Sequence, residues 1–219
     1  MEGIIACLAQ DTIDYSHFEQ LYDLGVPTVF FARTCMPDKF SQVVANGDEA
    51  AFEATMHLIE TGSKRIAFIG GPNHLDMVKR RKHGYLQALK EARIPIDRRL
   101  VVCDKIDFEV ARNATIQLLQ SEDRPDAILA FNDIVTYAAF DAIKSLGMSI
   151  PEDVAIIGFT DGDTAAFVTP RLSAIMDQAS VQGMKACELL MKNINGDTRI
   201  YREVVPMILK IRESSEKNL

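Results

Sequence analysis

Short apolar runs alternate along the chain with longer stretches in which apolar residues recur every three or four positions. The short runs, rich in Val, Ile, Phe and Ala, are typical of buried strands and lie at residues 3–8, 27–32, 42–45, 65–69, 100–103, 127–130 and 154–158. The longer stretches predict helices at residues 15–24, 48–61, 75–92, 108–119, 133–146 and 178–194. This alternation predicts βαβ crossovers and a parallel sheet with helices on both faces.

The ends of the predicted elements are marked by glycine and proline. Gly25, Gly62 and Gly147 follow helical stretches, where glycine readily takes the left-handed conformation that ends a helix. A last strand is predicted over residues 204–211, with an interruption at Pro206, and the polar residues 213–219 are expected to be frayed. No Gly/Ser linker is found, so two domains would have to be joined by several chain crossings.

Charge and composition narrow the function classes. The 219 residues carry 24 Lys and Arg against 31 Asp and Glu, a formal net charge of −7. This excess of acidic residues argues against a domain that binds the phosphate backbone of a nucleic acid. No apolar run approaches the roughly 18 residues of a membrane span, and the start MEGIIACL lacks the basic region of a signal peptide.

The four cysteines are far apart and form neither a CxxC motif nor a metal-ligand spacing. Three of them, Cys7, Cys103 and Cys187, lie in or beside apolar runs. Buried, reduced thiols in a cytoplasmic protein are therefore predicted instead of a disulfide framework.

Residues that follow the predicted strands are the candidates for chemistry, because a parallel sheet binds ligands outside the carboxyl ends of its strands. Most of these residues are polar or small. Such residues would line a ligand-binding crevice, but they are equally expected as N-terminal caps of the helices that follow. Gly70-Gly71-Pro72 lacks the spacing of a phosphate loop and is read as a turn. No nucleophile, metal or nucleotide motif favours an enzyme, and no catalytic residue or cofactor is expected.

The densest basic cluster is KRRK at residues 79–82. On a helix these four side chains span about one turn and cannot all face one way. One or two are expected to point into a crevice and the others into solvent. Arginine is the donor suited to adjacent sugar hydroxyls, carboxylates or phosphates.

Six segments, in order and over nearly the whole chain, resemble motifs of the LacI/GalR (lactose-repressor/galactose-repressor) family of transcriptional regulators. They are GVPTV at 25–29, TGSKRIAFIGGP at 61–72, RKHGY at 81–85, DAILAFND at 126–133, LGMSIPEDVAIIGF at 146–159 and PRLSAI at 170–175. Each segment alone is weak evidence, whereas the ordered series is specific.

The resemblance implies an α/β fold of two Rossmann-like lobes with parallel sheets, similar to periplasmic binding proteins. The N-terminal lobe is expected over 1–44 plus 177–204 and the C-terminal lobe over 45–176 plus 205–219. The start EGIIA resembles the family's DGIIV strand. We therefore expect an incomplete first lobe, with the helix-turn-helix headpiece outside this sequence.

The resemblance also implies effector-binding residues. Arg81 matches the family's effector-binding arginine, and Asn132 matches the asparagine of its ND motif. Phe108 corresponds to an aromatic wall of the pocket, and Lys79 to a position near the ligand.

At the GFDD motif the first aspartate is replaced by Thr160, while the second is kept. The candidate set also includes Asp161 and Asp177, the latter in place of a glutamine.

Several positions that carry acidic residues in the family are not acidic in this chain, and this affects which ligand is expected. Family carboxylates hold sugar diols by accepting two hydrogen bonds, and besides Thr160 the residues Ala32 and Ala45 stand where family members carry acids. A phosphorylated or otherwise anionic metabolite paired with Arg81 is thus as well supported as a simple sugar.

The resemblance predicts the effector-binding and dimerisation domain of a cytoplasmic regulator. It would form a homodimer, bind a small effector between its lobes, and contact operator DNA through the headpiece, with no membrane contact. The alternative from the same fold is a periplasmic sugar-binding protein of an ABC transporter or chemosensory system.

Overall fold

A computed structural model describes residues 2–160 and 163–217 of the chain. The chain forms two compact units, each built from separate segments. Unit 1 comprises Met1–Asn46 and Gln178–Pro206, and unit 2 comprises Gly47–Asp177 and Met207–Leu219.

Unit 1 is a parallel sheet with two helices. Its strands, in spatial order, are β1 (Ile4–Ala6), β2 (Thr28–Phe31), β3 (Ser41–Ala45) and β9 (Arg202–Val205), and its helices are α1 (Ser16–Asp23) and α6 (Ala179–Ile194). Phe30 is fully buried, with Phe18 and Phe40 packed edge-on at ring-centroid distances of 4.8 and 5.3 Å. Aromatic rings prefer this geometry, and the cluster forms one side of the unit 1 core.

Over its described residues, unit 2 is a six-stranded sheet with four α-helices. The strands, in spatial order, are β10 (Ile208–Lys210), β8 (Ser173–Met176), β7 (Ala155–Phe159), β6 (Ala127–Ala130), β4 (Ile66–Gly70) and β5 (Val101–Cys103). The helices are α2 (Gly47–Glu60), α3 (Asp76–Glu91), α4 (Phe108–Leu119) and α5 (Asp133–Ser145). All pairs are parallel except β10 with β8.

The central strands of unit 2 are buried along their whole length. Every residue of β4, β6 and β7 is buried, because helices cover both faces of the sheet. This burial explains why these strands read as continuous apolar runs and confirms the predicted α/β class.

The end of the chain differs from the prediction in two ways. The predicted single strand over 204–211 is two strands, β9 and β10, which belong to different sheets. Pro206 lies between them, and because proline has no backbone N–H it cannot donate a hydrogen bond to a neighbouring strand. Strand β8 was not predicted, because it begins with a polar residue, Ser173, and shows only three apolar residues in a row.

The residues expected to be frayed are in part packed into unit 2. A short 3-10 helix covers Glu213–Ser215, and the side chains of Ser214 and Ser215 are fully buried. The Ser214 hydroxyl donates to the Ile156 carbonyl at 2.6 Å and accepts from the Ser173 amide at 2.8 Å. The polar composition of this segment therefore serves a buried hydrogen-bond network, so the fraying prediction is wrong for these residues.

The prediction that the cysteines are buried is wrong for two of them. All four thiols are free, and Cys35 is buried, but Cys7 and Cys187 are exposed. Desolvation raises the pKa of the Cys35 thiol to about 11. An adjacent apolar run does not bury a residue that lies on the outer side of its element.

Thiol labelling should separate these residues. At pH 8 we expect Ellman's reagent to modify Cys7 and Cys187 rapidly and Cys35 slowly, because only the thiolate reacts and burial disfavours it. Peptide mapping of timed samples would identify each site, and urea-unfolded protein provides the reference in which all four react. Equal rates for Cys35 and Cys7 in the native protein would contradict the structure.

Helices α2 and α3 meet at Gly84 without room for a side chain. A Cβ atom at this position would lie 1.9 Å from the Asp48 carbonyl oxygen and 3.0 Å from the Phe52 amide nitrogen. The close approach is a backbone contact that rotamer changes cannot relieve.

We expect Gly84→Ala to lower the free energy of unfolding by about 3 kcal/mol, since the two helices must separate to admit the methyl group. Urea unfolding followed by circular dichroism measures the change. Gly183→Ala in α6 is the matched control, because nothing lies within 4 Å of its Cβ position. The control should be neutral or stabilising by up to about 1 kcal/mol, and an equal loss in both variants would contradict the packing argument.

Candidate functional site

The order of the strands in unit 2 defines one edge as a ligand-binding position. Strand β4 lies between β5 and β6, so the chain leaves β4 to one side and later returns to its other side. Ligands of open parallel sheets bind at such a reversal, outside the carboxyl ends of the strands. Gly71 follows β4 and Phe131 follows β6 at this edge, which we call the carboxyl edge of unit 2.

Arg81 of α3 places a positive charge inside this edge. Its side chain is only 6% exposed, and its guanidinium donates a hydrogen bond from Nη1 to the Phe131 carbonyl oxygen. The guanidinium carbon lies 3.8 Å from the Phe159 ring centroid and 4.9 Å from that of Phe131. Cation–π contacts of this kind stabilise a partly desolvated charge, so the guanidinium is held in one orientation.

Asn132 begins helix α5 beside this arginine contact. Its side-chain oxygen accepts a hydrogen bond from the Val135 amide at 3.0 Å, which caps the helix. The side-chain nitrogen, which carries two N–H donors, makes no hydrogen bond to any residue that the structure describes.

Thr160 joins the end of β7 to the start of α5. Its side chain is 2% exposed, and its hydroxyl donates to the carboxylate of Asp133. Its backbone amide donates to the Ile175 carbonyl at 3.0 Å, which ties it to β8. Asp133 lies in the first turn of α5, where a negative charge is favourable.

The remaining sequence-predicted residues have different environments. Lys79 is exposed on α3, Phe108 is the half-exposed first residue of α4, and Asp177 is half-buried just after β8. All three follow strands of the sheet and so lie on the carboxyl-edge side. Asp161 falls outside the described residues.

The structure thus brings three of the predicted residues together. Arg81, Asn132 and Thr160 are linked through Phe131 and its neighbours in a group that also includes Phe159 and Asp133. Phe131 and Asp133 are among the residues that directly follow a predicted strand, which sequence reasoning treated as candidates, whereas it did not select Phe159, the last residue of β7. An aromatic residue at the last position of a buried strand was the available signal.

The KRRK cluster behaves as its helical spacing predicts. Arg81 is buried, whereas Lys79 is exposed, Arg80 pairs with Asp76 at 2.7 Å, and Lys82 donates to Asn73. One cation of the four therefore belongs to the candidate site.

Among residues 2–160 and 163–217, no group of three or more His, Cys, Asp or Glu side chains could hold a metal ion. None of the helices in this part of the chain combines the length and hydropathy needed to cross a bilayer.

Comparison with known proteins agrees with this architecture. The family model described as "periplasmic binding protein-like domain" matches residues 55–215. The chain is 29% identical over 202 residues to the HTH-type transcriptional repressor PurR of Actinobacillus pleuropneumoniae, and this alignment covers 92% of the chain and 60% of that repressor.

Two solved structures are similar in fold. The transcriptional regulator CelR in complex with cellobiose has a TM-score of 0.88 at 30% identity, covering 97% of this chain and 65% of that one. A regulatory protein of the LacI family from Chloroflexus aggregans has a TM-score of 0.89 at 29% identity, covering 98% and 76%. By their names these relatives are regulators of transcription.

The chain therefore belongs to the periplasmic binding protein-like domain family. Within that family it corresponds to the effector-binding core of the LacI-type regulators. It spans about 60% of the length of the PurR relative.

The Thr160 contact can be tested by changing its hydroxyl. We expect Thr160→Val to lower the free energy of unfolding by about 2 kcal/mol, because the hydrogen bond to the charged Asp133 carboxylate is lost while the side-chain shape is kept. Thr160→Ser is the control that retains the hydroxyl, and it should lose less than the valine variant. Urea unfolding of both variants measures the difference, and the opposite ranking would show that the hydroxyl is not the stabilising group.

Proposed function

We propose that this chain binds a small metabolite at the carboxyl edge of unit 2 and thereby controls a DNA-binding transcriptional regulator. The observation that carries the proposal is the buried guanidinium of Arg81, held by Phe131 and Phe159 at the strand-order reversal. A charge held in this way is already desolvated and oriented, so a ligand need not provide that free energy when it binds.

The residues at this edge suit a ligand with oxygen acceptors. Arg81 offers planar N–H donors and Asn132 offers amide donors, which match hydroxyl, carboxylate or phosphate oxygens. The acidic group at this edge, the carboxylate of Asp133, already accepts a hydrogen bond from the Thr160 hydroxyl. We infer a sugar, sugar phosphate or other anionic metabolite as the effector.

The relatives support a regulator over a periplasmic transport protein, because the curated relatives are named HTH-type transcriptional repressors or regulators. The full protein would then act in the cytoplasm as a homodimer and bind operator DNA through a helix-turn-helix headpiece. Ligand binding would shift the equilibrium between two conformations of the regulator. The size of this shift is limited by the difference in the ligand's affinity for the two conformations.

The binding role of Arg81 is tested by replacing its charge. We expect Arg81→Met to weaken binding at least about tenfold, because the ligand loses its charged donor while the apolar stem is retained. A thermal-shift screen with cellobiose, ribose, glucose 6-phosphate and guanosine selects the probe, and calorimetry with that compound measures affinity for both proteins.

The exposed Lys144→Gln variant is the control for a change of net charge, and circular dichroism shows whether Arg81→Met stays folded. Unchanged affinity in a folded Arg81→Met protein would show that the ligand binds elsewhere.

A further inference from the structure

Unit 2 contains a cavity at the opposite edge of its sheet. It lies beside Ile66, the first residue of β4, and Leu100, which directly precedes β5. Its volume is about 460 Å³, within the range of about 300–1,000 Å³ that small-molecule sites occupy. We call it the amino-edge cavity; its walls come from residues 64–66, 85, 89, 94–98 and 100.

The inner wall of the amino-edge cavity is apolar and rigid. Ile66, Tyr85 and Leu89 are almost completely buried, and the Tyr85 hydroxyl donates to the Ile66 carbonyl at 2.8 Å. The tyrosine hydroxyl is therefore committed within the protein. These buried residues form the floor of the cavity, and the exposed apolar residues of its lining are Pro95 and Ile96.

The outer wall is the segment that follows α3. Arg93 adopts a left-handed backbone conformation with φ of 56°, which ends the helix and turns the chain back. A non-glycine residue in this conformation costs about 1 kcal/mol, so the turn is maintained by surrounding contacts, including the Ile94 amide bonded to the Leu89 carbonyl at 2.9 Å. The turn leaves Ile96 49% exposed.

The charges around the cavity are unbalanced. Three cationic side chains line it, those of Lys64, Arg65 and Arg98, against one acid, Asp97. Asp97 is already engaged, since its carboxylate lies 2.7 Å from the Arg99 guanidinium and 3.2 Å from that of Arg65. The bonds from Arg99 keep the pKa of Asp97 well below its usual range.

Two of these cations are available to a ligand. Arg65 also donates to the Asp123 carbonyl at 2.9 Å, whereas the side chains of Lys64 and Arg98 make no hydrogen bond or ion pair with the described part of the chain. In a chain of net charge −7, uncommitted cations beside an apolar wall favour an anion with an apolar body.

We propose that the amino-edge cavity is a second ligand site, which binds a small organic acid with an aromatic or branched apolar body and one carboxylate. The carboxylate pairs with Lys64 and Arg98, and the apolar body packs on the exposed Pro95 and Ile96. This site is separate from Arg81, because the cavity lies at the amino ends of the strands and Arg81 at their carboxyl ends.

The test uses 2-naphthoate as the probe and 2-naphthylmethanol as its neutral counterpart. Titration followed by heteronuclear NMR should give a Kd for naphthoate below about 1 mM and at least fivefold weaker binding of the alcohol. The largest amide shifts should fall on residues 94–98. No binding, or equal binding of acid and alcohol, would overturn the proposal.

Variants separate the charged and apolar contributions. Lys64→Gln/Arg98→Gln should weaken naphthoate at least fivefold and leave the alcohol unchanged, while Ile96→Ser should weaken both. The control Lys144→Gln/Arg202→Gln removes the same charge from exposed positions elsewhere and should bind as the unmodified protein does. All of these positions are exposed, so the variants should remain folded.

Arg81→Met decides between the two edges. We expect this variant to bind naphthoate with the affinity of the unmodified protein, even where its affinity for the effector is reduced. Loss of naphthoate binding in Arg81→Met, with retention in Lys64→Gln/Arg98→Gln, would place the acid at the carboxyl edge and overturn the second site.

Discussion

The parallel direction of the strands in unit 2 is the constraint on which the rest depends. Because β4, β5, β6, β7 and β8 all run the same way, every connection must cross the sheet, and every carboxyl end meets one edge. The helices of these connections bury both faces. Their first turns then supply the polar groups at that edge, so the same rule that builds the core also assembles the site.

The energetic problem at this edge is the buried charge of Arg81. An unpartnered buried charge is costly, and proteins offset the cost with hydrogen bonds and polarisable contacts. Here a carbonyl at the end of β6 and two aromatic rings at the ends of β6 and β7 share that role. The aromatic residues at the ends of these strands thus stabilise the buried charge as well as the core.

Much of this architecture could be predicted from the sequence because the buried strands are unbroken apolar runs and the helices have regular apolar spacing. Strand β8 and the packed end of the chain could not, since Ser173 and Ser214 are polar residues whose burial depends on partners distant in the chain. The same limit applies to the site. Arg81, Asn132 and Thr160 were predicted from motif resemblance, while the contacts from Phe159 and Asp133 depend on strand order.

The central claim is that the carboxyl edge of unit 2 binds the effector. Hydrogen–deuterium exchange with the compound selected by thermal shift tests it directly, since bound ligand protects the amides it covers. The account predicts slower exchange in peptides containing residues 131–135, with no change in peptides covering residues 94–100 at the opposite edge. Protection confined to residues 94–100, or none at 131–135 under saturating ligand, would contradict it.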